Sequence, residues 1–282
     1  MLTIKNLEFS YSRSGKLIQD FSMHLNRGVV CGLLGRNGAG KSTLIYLICG
    51  LLKPKSGSIV MDGCVPFNRQ TEFLEDVFLV PEEFSLPAIP LDDYIKINAP
   101  FYPHFDREAM YRYLEIFELT PDLNLGALSM GQKKKAFISF AMACNTSLLI
   151  LDEPTNGLDI TAKRNFRRAV AECMSDDKSI LISTHQVYDI DKVLDHVLIT
   201  DRNGVLLNAS MAEVMSRYRF NFTTDRERAE KALVSLPVPG GYNIAEYLDS
   251  PANETEVNLE TLFEMSQLPG FNFNIPNPNI NS

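Results

Sequence analysis

Nine residues constrain this chain more than any others: GRNGAGKST, Gly35 to Thr43. They follow VVCGLL, a short apolar run with a β-branched start that reads as a buried strand. They precede STLIYLICGLL, an apolar stretch of helix length. The string fits G-x-x-x-x-G-K-[ST] in the strand-to-helix setting that gives the motif meaning. Such a loop wraps an anion with backbone N–H groups, and Gly35, Gly38 and Gly40 allow the tight path and close approach. Arg36, Asn37, Ala39 and Thr43 complete the cradle. The helix that starts near Lys41 aims its positive end at phosphate. Lys41 is positioned to reach β- and γ-phosphates, and the Ser42 hydroxyl to bind Mg²⁺.

A cradle alone leaves many nucleotide-binding chemistries open. LLILDEP supplies a second half. Asp152 ends a buried strand, where it can hold a Mg²⁺ shell, and Glu153 follows, where a carboxylate can polarise an attacking water. VFLV and SILIST read as further buried strands. Residues 106–118, 131–146 and 160–175 read as helices. Strands alternating with helices argue for an α/β domain on a mostly parallel sheet.

With those residues in place, the chain resembles an ABC-type ATPase. LSMGQ, Leu128 to Gln132, resembles the LSGGQ signature and lies upstream of the LLILDE strand; NGLD, Asn156 to Asp159, resembles the loop that follows it. His185 in STHQ resembles the switch histidine, and Tyr11 in FSYS the aromatic that stacks on adenine. The resemblance runs almost continuously over residues 1–210. It implies a P-loop NTPase with a RecA-like core, an N-terminal antiparallel β subdomain and a helical insertion at about 85–127. It implies that ATP with Mg²⁺ lies between two cassettes, against the cradle of one and the signature of the other. Ser129, Gly131 and Gln132 would then meet the γ-phosphate across a homodimer interface, Asp159 would organise the partner site, and His185 would sense the phosphate. Read alone, LSMGQ is also a plausible helix start capped by Ser129. The implied partners are a second cassette and integral membrane permease subunits, which would hold the protein at the cytoplasmic face of the membrane. FYPHFDREAMYRYLEIFEL resembles the insertion of small bacterial exporter cassettes with separate permeases, and NLETLFEM the LEE-x-F segment of drug and peptide exporters. A soluble, non-transport assembly or regulatory subunit is the alternative.

Composition narrows the field further. The formal net charge is -8, and no basic cluster appears beyond Lys133, Lys134 and Lys135, which argues against a nucleic-acid partner. The three lysines read as a solvated helical face with one stem packed; the alternative is a favourable field for the partner's nucleotide. Cys31, Cys49, Cys64, Cys144 and Cys173 are scattered without metal spacing and read as small buried hydrophobes. The start does not read as a signal peptide, and no apolar run approaches the roughly 18 residues of a spanning helix. From Ser210 onward there are ten acidic and five basic residues. Residues 211–282 therefore read as an accessory region, a small α+β appendage with a disordered or loosely docked Asn/Pro-rich tail at about 269–282. DRNG, Asp201 to Gly204, reads as a hairpin turn.

Two residues depart from the family pattern. Glu82 stands where Gln is usual at the hinge before the helical insertion, and Met130 replaces the first signature Gly. A Glu can approach Mg²⁺ through water but cannot donate an amide hydrogen bond to position water. Glu82→Gln is therefore expected to raise turnover in a phosphate-release assay; an unchanged rate would show that the native carboxylate does not restrain hydrolysis.

Overall fold

The computed structural model describes residues 1–12, 15, 17–201, 204–248, 250 and 255–273. Strands β1 (Leu2–Phe9) and β2 (Ile18–Leu25) pair antiparallel. β3 (Val30–Leu34) then runs into the glycine loop and α1 (Lys41–Ile48). β4 (Ser56–Met61) returns to β1, closing a sheet of order β2-β1-β4. α2 (Thr71–Leu74) and β5 (Val77–Val80) lead to a helical layer of α3 (Leu91–Asn98), α4 (Arg107–Ile116) and α5 (Met130–Ala143). β6 (Leu148–Asp152), α6 (Ile160–Cys173) and β7 (Ser179–Thr184) follow. β8 (His196–Asp201) and β9 (Gly204–Ser210) complete a sheet of order β5-β6-β7-β3-β8-β9. Its strands are parallel except for the β8–β9 hairpin. The connecting residues Arg202 and Asn203 of the expected turn lie outside the described residues.

The central strands are apolar on both sides because both sides are covered. Successive side chains alternate between faces. Thus Leu149, Leu151, Ile180 and Ile182 join one core with α4, α5 and α6, whereas Leu148, Ile150 and Leu181 join a second with α1, β1, β2 and β4. The starts of α4 and α6 are capped by side chains: Asp106 accepts from Glu108 N and Ala109 N, and Asp159 from Ala162 N. The helices stop slightly before the sequence limits of 118, 146 and 175. Glu118 and Asn145 take left-handed conformations, with φ of 60° and 52°, which the α-helix cannot continue through.

The C-terminal region forms α7 (Met211–Met215), β10 (Tyr218–Thr223), α8 (Arg226–Lys231), β11 (Val234–Val238), β12 (Gly241–Tyr247) and α9 (Leu259–Ser266). Its sheet has the order β10-β12-β11. Its described residues share the main core: Tyr218, Phe220, Ala245, Leu262 and Met265 join the cluster that covers the parallel sheet. Tyr188 Oη donates to Glu260 at the start of α9. The stretch from 269 is docked at Phe273, whose ring lies 4.3 Å from the Arg217 guanidinium. Residues 274–282 of the expected loose tail lie outside the described residues.

The helical layer is held to the sheet by aromatic packing. Phe140 of α5 is 1% exposed and contacts the rings of Phe78, Tyr94, Tyr102 and Phe105. Phe140→Ala should cost about 3–5 kcal/mol, read as a lower guanidinium unfolding midpoint. A loss under about 1 kcal/mol would mean that the cluster refills the cavity.

Candidate active site

Four neighbouring parallel strands end at one edge of the sheet, and each delivers a functional loop there. Glu82 follows β5, Asp152 and Glu153 end and follow β6, His185 follows β7, and Gly35 to Lys41 follow β3. The carboxyl ends of parallel strands are where α/β sheets bind ligands. A cleft of about 400 Å³ opens at this edge, lined by Asn37, Gly38, Gly40, Lys41, Ser42 and Thr43, with Leu17, Glu82, Glu153 and His185.

The glycine loop has a steric reason for its composition. A Cβ on Gly35 would lie 2.7 Å from the Thr200 carbonyl oxygen, and Gly40 has φ +92° at the N-cap of α1. No side chain caps that helix, so its first N–H groups are left for an anion. Arg36 and Asn37 are exposed, and Ala39 is buried beneath the loop. Lys41 is 8% exposed; its Nζ donates to Gly35 O at 2.8 Å and lies 3.8 Å from Glu153 Oε1. Desolvation pushes the Lys41 amine below its ordinary value, and Glu153, Asp152 and Glu82 oppose that push. Thr43 Oγ1 shares a 3.1 Å hydrogen bond with Tyr11 Oη. Tyr11 is 67% exposed beside the loop, its ring plane at 88° to that of Phe9 with the centroids 5.0 Å apart, which leaves the residue accessible to a flat partner.

Asp152 and Glu153 are both buried. Ser183 Oγ donates to Asp152 Oδ1. Glu153 N donates to Ser183 O at 3.1 Å and to Ser183 Oγ at 3.2 Å. Glu153 has a left-handed backbone, φ 46°, uncommon for a residue with a side chain. Its Oε1 lies 2.8 Å from His185 Nδ1, and its Oε2 accepts from His185 N at 3.4 Å. Glu82 Oε1 accepts from Asn156 Nδ2 at 2.9 Å, and Gln186 Nε2 donates to Asn156 Oδ1 at 3.2 Å. The donor set of Ser42, Asp152 and Glu82 consists of hard oxygens, the chemistry that suits Mg²⁺. Among the described residues no three His, Cys or acidic side chains converge to hold a metal alone.

The LSMGQ residues do not join this cleft within one copy. Ser129 and Gln132 form a capping box at the start of α5: Gln132 N donates to Ser129 Oγ at 3.3 Å, and Ser129 N to Gln132 Oε1 at 3.0 Å. Met130 is 62% exposed, its side chain clear of the helix. The position of a Gly131 Cβ would lie 3.7 Å from Gly157 O. Asp159 caps α6, and Ile160 beside it is 89% exposed.

Two side chains take places that the sequence does not reveal. Ser183 carries a faint signal, two residues before His185 in SILISTH. Lys134 corrects the expectation of a solvated lysine run: it is 4% exposed, and its Nζ donates to Glu153 O at 3.2 Å and Asn156 O at 3.0 Å. The head itself is buried, not only the stem. Its spacing of four from Ile138 and eight from Met142, both buried, puts it on the inward face of α5.

The sequence matches the family described as ABC transporter over residues 18–156. It is similar to the bacitracin transport ATP-binding protein BcrA of Bacillus licheniformis, 31% identical over 79% of this chain and 74% of that protein. It is likewise similar to the SkfA peptide export ATP-binding protein SkfE of Bacillus subtilis (strain 168), 32% identical over 73% of this chain and 87% of that one. A solved structure of the ATP-binding subunit of an ABC transporter superimposes with a TM-score of 0.67 at 25% identity, covering 76% of this chain and 91% of that one.

Ser183→Ala would remove the hydroxyl between Asp152 and the Glu153 amide. The exposed cost of a buried carboxylate oxygen without that donor is about 1–3 kcal/mol, measurable by thermal or denaturant unfolding. Unchanged stability would show that water takes the place of the hydroxyl.

Proposed function

Because this chain belongs to the ATP-binding subunits of ABC transporters, and such cassettes hydrolyse ATP, we propose that it powers an exporter. It does so by closing on a second copy of itself beneath a separately encoded permease. One observation carries this reading: Lys41, Glu153 and His185 converge in the cleft that the uncapped glycine loop also lines.

The chemistry follows from the side chains. The N–H groups of the loop and of the start of α1 hold the β- and γ-phosphates of ATP, and the Lys41 ammonium neutralises their charge. Tyr11 offers its ring face to adenine. Ser42 and Asp152 would hold Mg²⁺, with Glu82 acting through water, and that ion supplies neutralisation of charge between the phosphates. Glu153 orients water and accepts its proton during in-line attack on the γ-phosphoryl group. His185 fixes the Glu153 carboxylate through Nδ1 and leaves the rest of its ring toward the cleft. Exposed Ser129 and Gln132 and half-buried Gly131, at the start of α5, complete the site of a partner copy, with Asp159 at the start of α6. Loss of the γ-phosphate then removes the anion shared by two copies, and they part.

The domain limits proposed are a cassette over 1–210, a helical subdomain at about 85–127 and an accessory region over 211–282. Exposed Ile97 and Phe101, 60% and 66% accessible in the helical layer, support permease docking on that side. The peptide-export name of one relative supports the outward direction. Among the described residues no helix is long and apolar enough to cross a membrane, so the permease would hold this subunit at the cytoplasmic membrane face.

Glu153→Gln should bind ATP, lose about 10²–10⁴-fold in hydrolysis and accumulate as a dimer in light scattering with Mg²⁺ and ATP. Turnover at the native rate would refute Glu153 as the base.

A further inference from the structure

Glu153 holds a backbone conformation that it would not adopt unaided. At φ 46° a side-chain-bearing residue persists only where its surroundings over-determine it. Both peptide groups of Glu153 are engaged. Its N–H is taken by Ser183 O and Oγ, at 3.1 and 3.2 Å. Its carbonyl is taken by Lys134 Nζ at 3.2 Å, and the same ammonium reaches Asn156 O at 3.0 Å. Lys134 thus spans the turn that carries the carboxylate, from its first residue to its fourth.

A buried ammonium is costly unless it is compensated. Lys134 is 4% exposed, and burial pushes its amine below the ordinary value while Glu82, Glu153 and Asp152 pull it back. An apolar or neutral residue would fill this place at lower cost if packing were its only task. What the ammonium adds is a set of donors converging on two carbonyls, delivered from the helix whose exposed first turn is Ser129 to Gln132.

We propose that Lys134 is a positioning residue for ATP hydrolysis: its buried ammonium clamps the left-handed turn at Glu153 to the LSMGQ helix and so fixes the direction of the Glu153 carboxylate. The proposal rests on the reading of Glu153 as the base. It makes α5 a rigid link between two phosphate sites, since its first turn serves a partner's nucleotide while its second holds the base for its own. The clamp acts on turnover through Glu153: the Lys134 ammonium bonds Glu153 O and Asn156 O rather than the glycine loop.

The test compares Lys134→Met, which removes all donors, with Lys134→Gln, which keeps an amide donor on a shorter side chain. For each, kcat and KM for ATP are measured with the Kd of a fluorescent ATP analogue, and Glu153→Gln is assayed beside them. A small misplacement of a reacting group costs roughly tenfold to a hundredfold, so Lys134→Met should lose kcat in that range. Its Kd for the analogue should stay within about twofold, and Lys134→Gln should recover part of the rate, as expected of a donor that orients rather than reacts. If Lys134→Met does not fold, Lys134→Gln decides, with a lowered kcat and native Kd expected. Native kcat in the folded variants overturns the clamp, as does a loss confined to KM and Kd. If Glu153→Gln itself turns over at the native rate, the base assignment has failed instead, and the two failures are distinguished.

Discussion

The site depends on a cation and a carboxylate that are both withdrawn from water and brought face to face. Lys41 Nζ and Glu153 Oε1 lie 3.8 Å apart, with side chains 8% and 7% exposed. Neither charge is affordable at that depth alone. The sheet makes the pairing possible, because β6, β7 and β3 are neighbours in space although distant in sequence. Each contributes one end: Asp152 and Glu153, His185, and the glycine loop. The same order brings Glu82 to the far side of β6. A nucleotide bound here would meet charge already fixed in place, which is how a folded site lowers the cost of reorganisation during phosphoryl transfer.

Much of this was readable from local signals. The glycine loop, the LLILDE strand and the helix-length stretches are short-range features, and the elements lie close to where the sequence places them. Helix ends were less legible, since Glu118 and Asn145 end helices through their backbone angles and carry no Gly or Pro signal. The strand order is a non-local property that no single segment encodes. The burial of the Lys134 head was hidden by its neighbours: Lys133 and Lys135 make the triplet look like a solvated face, and only the phase with Ile138 and Met142 betrays it. Ser183 lay unnoticed because a serine in a buried strand has no meaning until the partner strand is known.

The accessory region shows the same limit. Its strands and helices are visible as patterns, yet their sharing of the main core through Phe220, Leu262 and Met265 is tertiary. That sharing sets α9 against the segment that follows His185, through the Tyr188–Glu260 bond. The region is therefore built onto the cassette where the loop that carries His185 leaves the sheet.

The central claim is that one triphosphate joins the glycine loop of one copy to the LSMGQ helix of another. Asn37→Cys in one copy and Ser129→Cys in a second would place a thiol on each side of that shared anion. The measurement is covalent dimer yield from the mixed pair with a short thiol-reactive crosslinker. The account predicts a strong rise in that yield with Mg²⁺ and ATP and little without nucleotide. A yield that ignores nucleotide, or no crosslinked pair at all when ATP is shown to be bound, would contradict it.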